Sequence, residues 1–305
     1  MAVLKHLPSG TEHTMAARHL VGRSPPCQLL LDRPQVSGVH AELVWDGSRW
    51  VVQDLGSRNG TFVDGRRLDP GERGSLTVGS EITFGTQEER FSVTDTAAPR
   101  LMARATDGRV VFAEADMLSL PSEDDPQATV LSDASGHWTL ETAEETRKVE
   151  DQDTVTAGGL LWTVHIPDVI TNTRDIEDIP LRLDELTLEL FVSRDEEHVG
   201  CRVLHGESRS ELDARAHMFL LLTLARARIS DREQATLPAS EHGWVHREDL
   251  VDMLKIDAQL LNLWVHRARQ QLRQVGVADA ARAIERRSGT RQLRLGTDRF
   301  VIVPA

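Results

Sequence analysis

Residues 41–54 read Ala41-Glu42-Leu43-Val44-Trp45-Asp46-Gly47-Ser48-Arg49-Trp50-Val51-Val52-Gln53-Asp54. Two runs rich in Val, Leu and Trp, each short enough for a strand, flank Asp46-Gly47, which supplies the positive-φ positions of a tight hairpin. The same texture extends outward from Leu20 to Thr94, where short apolar runs alternate with turn clusters at Gly56-Ser57-Arg58-Asn59-Gly60, Asp64-Gly65 and Pro70-Gly71. That spacing predicts an all-β sandwich without helices over residues 1–97.

Ala97-Ala98-Pro99 marks a boundary, and a β-rich acidic middle with its linker is assigned to residues 98–180. Strand-like pieces recur there at Arg109–Phe112, His137–Leu140 and Gly159–Ile166. Trp138-Thr139-Leu140, then Val149 to Val155, then Gly158 to Ile166 follow the order of Trp50-Val51-Val52, Leu76 to Ile82 and Phe91-Ser92-Val93. This echo suggests a degenerate second copy of the first sandwich that lacks its loops. Residues 167–180, bounded by prolines and rich in Asp, Asn and Thr, read as a linker.

The third region, 181–305, changes period. Leu186–Val192 and Val199–Leu204 predict a hairpin, and helical periodicity then places helices from near Asp213 to Ile229, over 247–255 and over 258–275. Ile284–Leu295 predicts a hairpin turning at Ser288-Gly289, followed by a strand at Phe300–Val303.

The chain has 305 residues, enough for two or three domains, and a net charge of -13. That charge argues against a polyanion partner when taken as an average. Its distribution says more: residues 1–100 carry -1, residues 101–208 carry -16 and residues 209–305 carry +4. The acidic middle reads as a solvated surface, with an electrostatic guard over the basic end as the alternative. The two cysteines, Cys27 and Cys201, form neither a redox pair nor a metal-ligand spacing, which fits a reducing, cytoplasmic setting. No apolar run suits a membrane span or a signal peptide.

Gly22-Arg23-Ser24, Ser37-Gly38-Val39-His40 and Gly56-Ser57-Arg58-Asn59-Gly60-Thr61-Phe62-Val63 stand in the order and spacing of the forkhead-associated (FHA) family. The resemblance covers about residues 18–95 and implies a domain that reads phosphothreonine on a partner. It assigns Arg23 and Ser37 to the phosphate, Ser57 and Arg58 to the loop beside it, and Asn59 to the bound peptide backbone. Gly22, His40 and Gly60 become structural supports. The chemistry agrees, because a dianionic phosphate needs an arginine fork and fixed hydroxyl and amide donors.

Residues 184–305 resemble the OmpR-like winged-helix domain of response regulators, with Leu261-Asn262-Leu263-Trp264-Val265-His266-Arg267-Ala268-Arg269-Gln270-Gln271-Leu272 similar to the recognition helix. The usual terminal Arg-Gly-x-Gly-Tyr is absent. At 100° per residue Leu261, Val265, Ala268 and Leu272 share one face, while Leu263, His266, Arg267, Gln270 and Gln274 share the other. The second set suits a major groove, and Arg286, Arg287, Arg291 and Arg294 suit a basic wing. A winged helix of this kind also serves as a protein-binding module.

The expected fold is therefore multidomain: an FHA sandwich, a β-rich middle and an α+β winged helix. No catalytic constellation, cofactor motif or metal-ligand set is present, so neither an enzyme nor a metalloprotein is expected. The function read from the sequence is that of a bacterial transcriptional regulator that docks a Thr-phosphorylated kinase or kinase substrate and binds double-stranded DNA. No receiver domain precedes the winged helix, so input would arrive by binding. The alternative is a phosphopeptide-dependent scaffold whose winged helix binds protein. Thr173, followed by Asp175, Ile176 and Glu177, is read as an unmodified linker residue, with capture by an FHA pocket of the same or a second copy as the alternative.

Overall fold

The computed structural model describes all residues except 1, 26, 115–116, 133–136, 168–180, 235–236 and 288. Thr173, most of the expected linker and Ser288 lie outside the described residues. The chain divides into two compact units, Met1–Met102 with His165–Arg174, and Ala103–Val164 with Asp175–Ala305. The acidic middle thus groups with the C-terminal region.

The first unit is a β-sandwich. Its strands are β1 (Val3–His6), β2 (Glu12–Thr14), β3 (Arg18–Gly22), β4 (Leu29–Leu30), β5 (Ala41–Trp45), β6 (Trp50–Asp54), β7 (Thr61–Val63), β8 (Arg66–Arg67), β9 (Arg73–Ser75), β10 (Glu81–Phe84) and β11 (Arg90–Asp95). One sheet has the order β2-β1-β11-β10-β7-β8 and the other β4-β3-β5-β6-β9. As expected, no helix occurs among the described residues 2–97. Leu43, Trp50 and Val52 of one sheet and Leu4, Ile82, Phe84 and Phe91 of the other are fully or almost fully buried in one apolar cluster. The hairpin around Asp46-Gly47 pairs Trp45 with Trp50, and Asp46 closes its loop by accepting from the backbone N–H groups of Ser48 and Arg49.

In the second unit, strands continue as β12 (Met102–Ala105), β13 (Val110–Phe112), β14 (Met117–Pro121), β15 (Pro126–Ser132), β16 (Trp138–Thr142), β17 (Thr146–Lys148), β18 (Thr154–Ala157) and β19 (Leu160–His165). Two four-stranded sheets result, β13-β12-β19-β18 and β14-β15-β16-β17. The first repeats the order β2-β1-β11-β10, and the second repeats β3-β5-β6-β9. The echo in the sequence is therefore a repeat of topology, with Trp162 fully buried as the large core residue. What is missing is local. No counterpart of β4 or of the β7–β8 hairpin exists among the described residues, and the long connections of the first sandwich shrink to residues 122–125 and 143–145.

The remaining chain is α+β. It contains β20 (Thr187–Val192), β21 (Val199–His205), β22 (Ser208–Leu212), α1 (Met218–Arg232), β23 (Val245–His246), α2 (Arg247–Leu254), α3 (Ala258–Gln274), β24 (Ile284–Arg287), β25 (Gln292–Leu295) and β26 (Phe300–Pro304). The sheets are β22-β21-β20-β26, with β26 parallel to β20, and β23-β25-β24. The third strand β22 was not expected. It occupies the stretch before α1, which consequently begins at Met218 and not near Asp213. Asp257 caps α3 by accepting from the backbone N–H of Leu260. The predicted inner face of α3, Leu261, Val265, Ala268 and Leu272, is buried in the core that also holds Leu220, Leu221 and Leu224 of α1. Among the described residues no helix is long and apolar enough to cross a membrane.

Candidate functional site

Three connections at one end of the first sandwich are tied together by hydrogen bonds. The segment after β3 pairs with the one before β5, where Arg23 N–H donates to Ser37 O and Ser24 N–H to Gly38 O, at 3.0 and 2.9 Å. Gly22 makes this approach possible, because a Cβ there would run into the carbonyl of Gly38 and the Cys27 sulfur. The loop after β6 is tied to the segment before β5: Arg58 N–H donates to Ser37 Oγ at 3.1 Å, and Asn59 Nδ2 donates to Gln35 O at 2.7 Å.

His40 sits beneath this junction, fully buried. Its Nδ1 accepts from Ser37 N–H at 3.1 Å, so its Nε2 carries the proton and faces Gly60 O at 3.2 Å. Burial holds the imidazole below its ordinary value, while the bond to Gly60 and the charge of Asp54 oppose that shift. Neutral His40 thus braces two loops at once, the supporting role expected of it. Gly60 has φ +87°, which accounts for glycine at that turn.

Asp54, at the end of β6, organises the loop that follows, and the sequence reading did not single it out. Its carboxylate is 1% exposed and accepts from the backbone N–H groups of Gly56, Ser57 and Thr61 and from the hydroxyls of Ser57 and Thr61, at 2.5 to 3.1 Å. Burial raises its pKa, but the bonds from Ser57 and Thr61 outweigh that and hold it below the usual carboxylate range. The signal was present: an aspartate before Leu55-Gly56-Ser57 is a side chain placed to cap its own turn.

This arrangement reassigns Ser57. Expected beside the phosphate, it is buried, its single O–H is spent on Asp54, and its oxygen accepts from Gly60 N–H at 3.0 Å. It supports the loop and has no proton left for a ligand. Arg23, Arg58 and Asn59 are exposed, as a binding surface requires. The Arg23 and Arg58 guanidiniums have no ion pair among the described residues, and Ser37 Oγ has no acceptor there for its own hydrogen. A preformed loop junction therefore carries two exposed guanidinium groups without ion pairs among the described residues, one hydroxyl and one carboxamide, a donor set that suits an oxyanion held beside an extended chain.

The second predicted site lies in the second unit. Of the residues assigned to the outer face of α3, only Gln274 is exposed, while Leu263, Arg267 and Gln270 are half-buried. His266 is the correction: it is 3% exposed, its Nδ1 lies 2.9 Å from Ser119 Oγ of β14, and burial pushes it down to about 4, so it is neutral at pH 7. The reason is that the acidic middle covers this face, which a helical projection cannot reveal. Arg269, unremarked in the sequence, is buried with it. On the β24–β25 hairpin Arg286 and Arg291 also meet the middle region. Arg287 instead pairs with Glu241 at 2.7 Å and Arg294 with Glu285 at 2.6 Å, both guanidiniums lying over Trp244.

Comparison with known proteins bears on the first sandwich. Residues 19–85 match the FHA domain family. The chain is 36% identical over 66 residues to the FHA domain-containing protein FhaB of Mycobacterium tuberculosis, a match covering 22% of this chain and 41% of that one. It is 38% identical over 76 residues to nibrin of Danio rerio, covering 25% of this chain and 9% of that one. A solved structure of Mycobacterium tuberculosis EmbR in complex with a low-affinity phosphopeptide aligns with 30% identity and a TM-score of 0.29, covering 32% of this chain and 25% of that chain. The chain thus covers less than half of the length of each of these relatives. The loop junction formed by Arg23, Ser37, His40 and residues 54–60 falls wholly within the matched region, and the N-terminal sandwich of this chain carries an FHA domain.

Proposed function

We propose that this chain is a phosphothreonine-dependent signalling protein whose FHA domain docks a Thr-phosphorylated partner, a kinase or a kinase substrate, and whose C-terminal region is a winged helix that binds double-stranded DNA. The observation that carries the first half is the pairing of unengaged Arg23 and Arg58 with Ser37 on a junction already fixed by His40 and Asp54. Because the loops are tied before any ligand arrives, little ordering entropy opposes binding. Titration of the full-length protein with a degenerate library of phosphothreonine peptides and matched unphosphorylated peptides tests it. Phosphate-dependent binding, weaker by about 100-fold or more without phosphate, is expected from the loss of charge-assisted bonds. Equal affinity for both libraries would refute the reading.

The DNA half is supported by the element order of residues 187–304 and by the arginines on α3 and the β24–β25 hairpin. Affinity for a duplex is expected to fall steeply with salt and to weaken when Arg267 and Arg287 are both changed to Ala, measured by fluorescence anisotropy between 50 and 200 mM salt, about the range over which phosphate contacts show themselves. One observation favours the scaffold reading instead. The α3 face accepts carboxylates of the protein's own middle region, so an acidic protein surface fits it. Duplex affinity that is absent at all salt concentrations, or that these substitutions leave unchanged, would favour that reading.

A further inference from the structure

By topology, the β14–β15 turn of the second sandwich corresponds to the segment that carries Arg23 and Ser37 in the first, and the β16–β17 turn corresponds to the segment that carries Arg58 and Asn59. The two ends have opposite charge. Where the first presents guanidiniums, the second presents Glu123, Asp124 and Asp125 in one turn, Glu144 and Glu145 in the other, and Glu141 near the end of β16.

This acidic end is occupied by the chain itself. Arg267 meets Asp124 at 2.6 Å, Gln270 meets Glu123 at 3.4 Å and Gln259 meets Asp125 at 2.9 Å. Glu141 receives Arg269 through both oxygens, at 2.8 and 3.3 Å, and lies 3.3 Å from the Arg286 guanidinium, which also donates to Thr142 O. Arg291 lies 3.8 Å from Glu144. The seam is polar and incompletely satisfied. The buried side-chain nitrogens with no hydrogen-bond partner among the described residues are His266 Nε2, Arg269 Nε and Arg286 Nε, and all three lie in it, the last with only its 3.3 Å ion-pair contact to Glu141. Permanent cores satisfy such groups, whereas each orphan lowers the net stability of the contact that buries it.

We propose that the loop end of the second sandwich is a docking site for arginine side chains, filled in this chain by its own α3 and β24–β25 hairpin, and that it holds that face closed against nucleic acid. Carboxylates there stand where duplex phosphates would have to come. Being on the same chain, they compete at high effective concentration, so the apparent affinity for a duplex is reduced by the fraction of molecules that are open. The closure of a DNA surface rests on the DNA-binding reading of α3, while the docking does not. The acidic middle is then a guard and not merely a solvated surface.

The test uses full-length protein in three neutralised forms. One is Glu123→Gln/Asp124→Asn/Glu141→Gln. A milder one, Asp124→Asn/Glu144→Gln, changes only side chains that are 88% and 78% exposed and leaves the buried pairs intact in case the first fails to fold. The control, Asp184→Asn/Glu185→Gln/Glu207→Gln, removes the same charge as the first form from exposed positions elsewhere. Hydrogen exchange over residues 138–148 and 259–273 reads the docking, and anisotropy of a labelled duplex reads the surface. Faster exchange in both segments together with about tenfold tighter duplex binding than the control is expected. Unchanged exchange in both the triple and the milder form would overturn the proposal. Faster exchange with no duplex binding by any form would uphold the docking and overturn the DNA reading instead.

Discussion

Arg23→Ala is expected to weaken binding of a phosphothreonine peptide by about 100-fold, the equivalent of about 3 kcal/mol for losing a charge-assisted contact to a dianion. The substitution removes no internal contact. Arg23 is exposed and its backbone pairing with Ser37 does not involve the side chain, so the melting temperature should stay within about 1 °C, as for surface changes away from buried features. The two readouts together separate a binding role from a folding role. Arg23→Lys restores a point charge without the fork, and should recover only part of the loss. Calorimetric titration with one phosphopeptide from the library decides the matter. Wild-type affinity in Arg23→Ala would place the phosphate elsewhere.

Asp54→Ala is expected to do the opposite, lowering stability by about 3–5 kcal/mol because five donors lose their common acceptor inside the protein. The loop carrying Arg58 and Asn59 would lose its shape, so peptide affinity should fall as well, although Asp54 itself is buried beneath the loop and cannot reach a ligand. Asp54→Asn should be only partly better, since its carboxamide turns one acceptor oxygen into a donor facing other donors. The sign of the pH dependence follows from the depressed carboxyl. Its contribution is complete above the ordinary value of 3.8 and is lost as pH falls through the lower value it has in the folded protein. Chemical denaturation of wild type and Asp54→Ala at pH 7 and pH 3 checks this, and a difference that grows in acid would contradict it.

Much of the first unit was legible in the chain. Period-two runs, Asp46-Gly47 and the three loop motifs sufficed because each is a local property: a strand needs alternating apolar residues, and a turn needs residues that tolerate positive φ. The same holds for the buried face of α3, where Leu261, Val265, Ala268 and Leu272 follow from helical geometry alone. The repeat in the middle region was visible as an order of tryptophan and apolar runs, though its strands have almost no residue identity with those of the first sandwich.

Tertiary structure decided the rest, and in each case the reason is a contact between residues far apart in the chain. Ser57 changed from ligand to support because its hydroxyl meets a buried carboxylate, and Asp54 acquired its importance from five donors gathered by a loop closing back on it. His266 sits on a helix face that periodicity marks as wet, with Arg269 at the edge between the two faces, and both are buried because β14, β15 and β16, more than a hundred residues earlier, lie against them. Charge bookkeeping located an acidic middle and a basic end. Only folding could bring the carboxylates of one onto the guanidiniums of the other, since a sequence records which charges exist and the fold determines which of them meet.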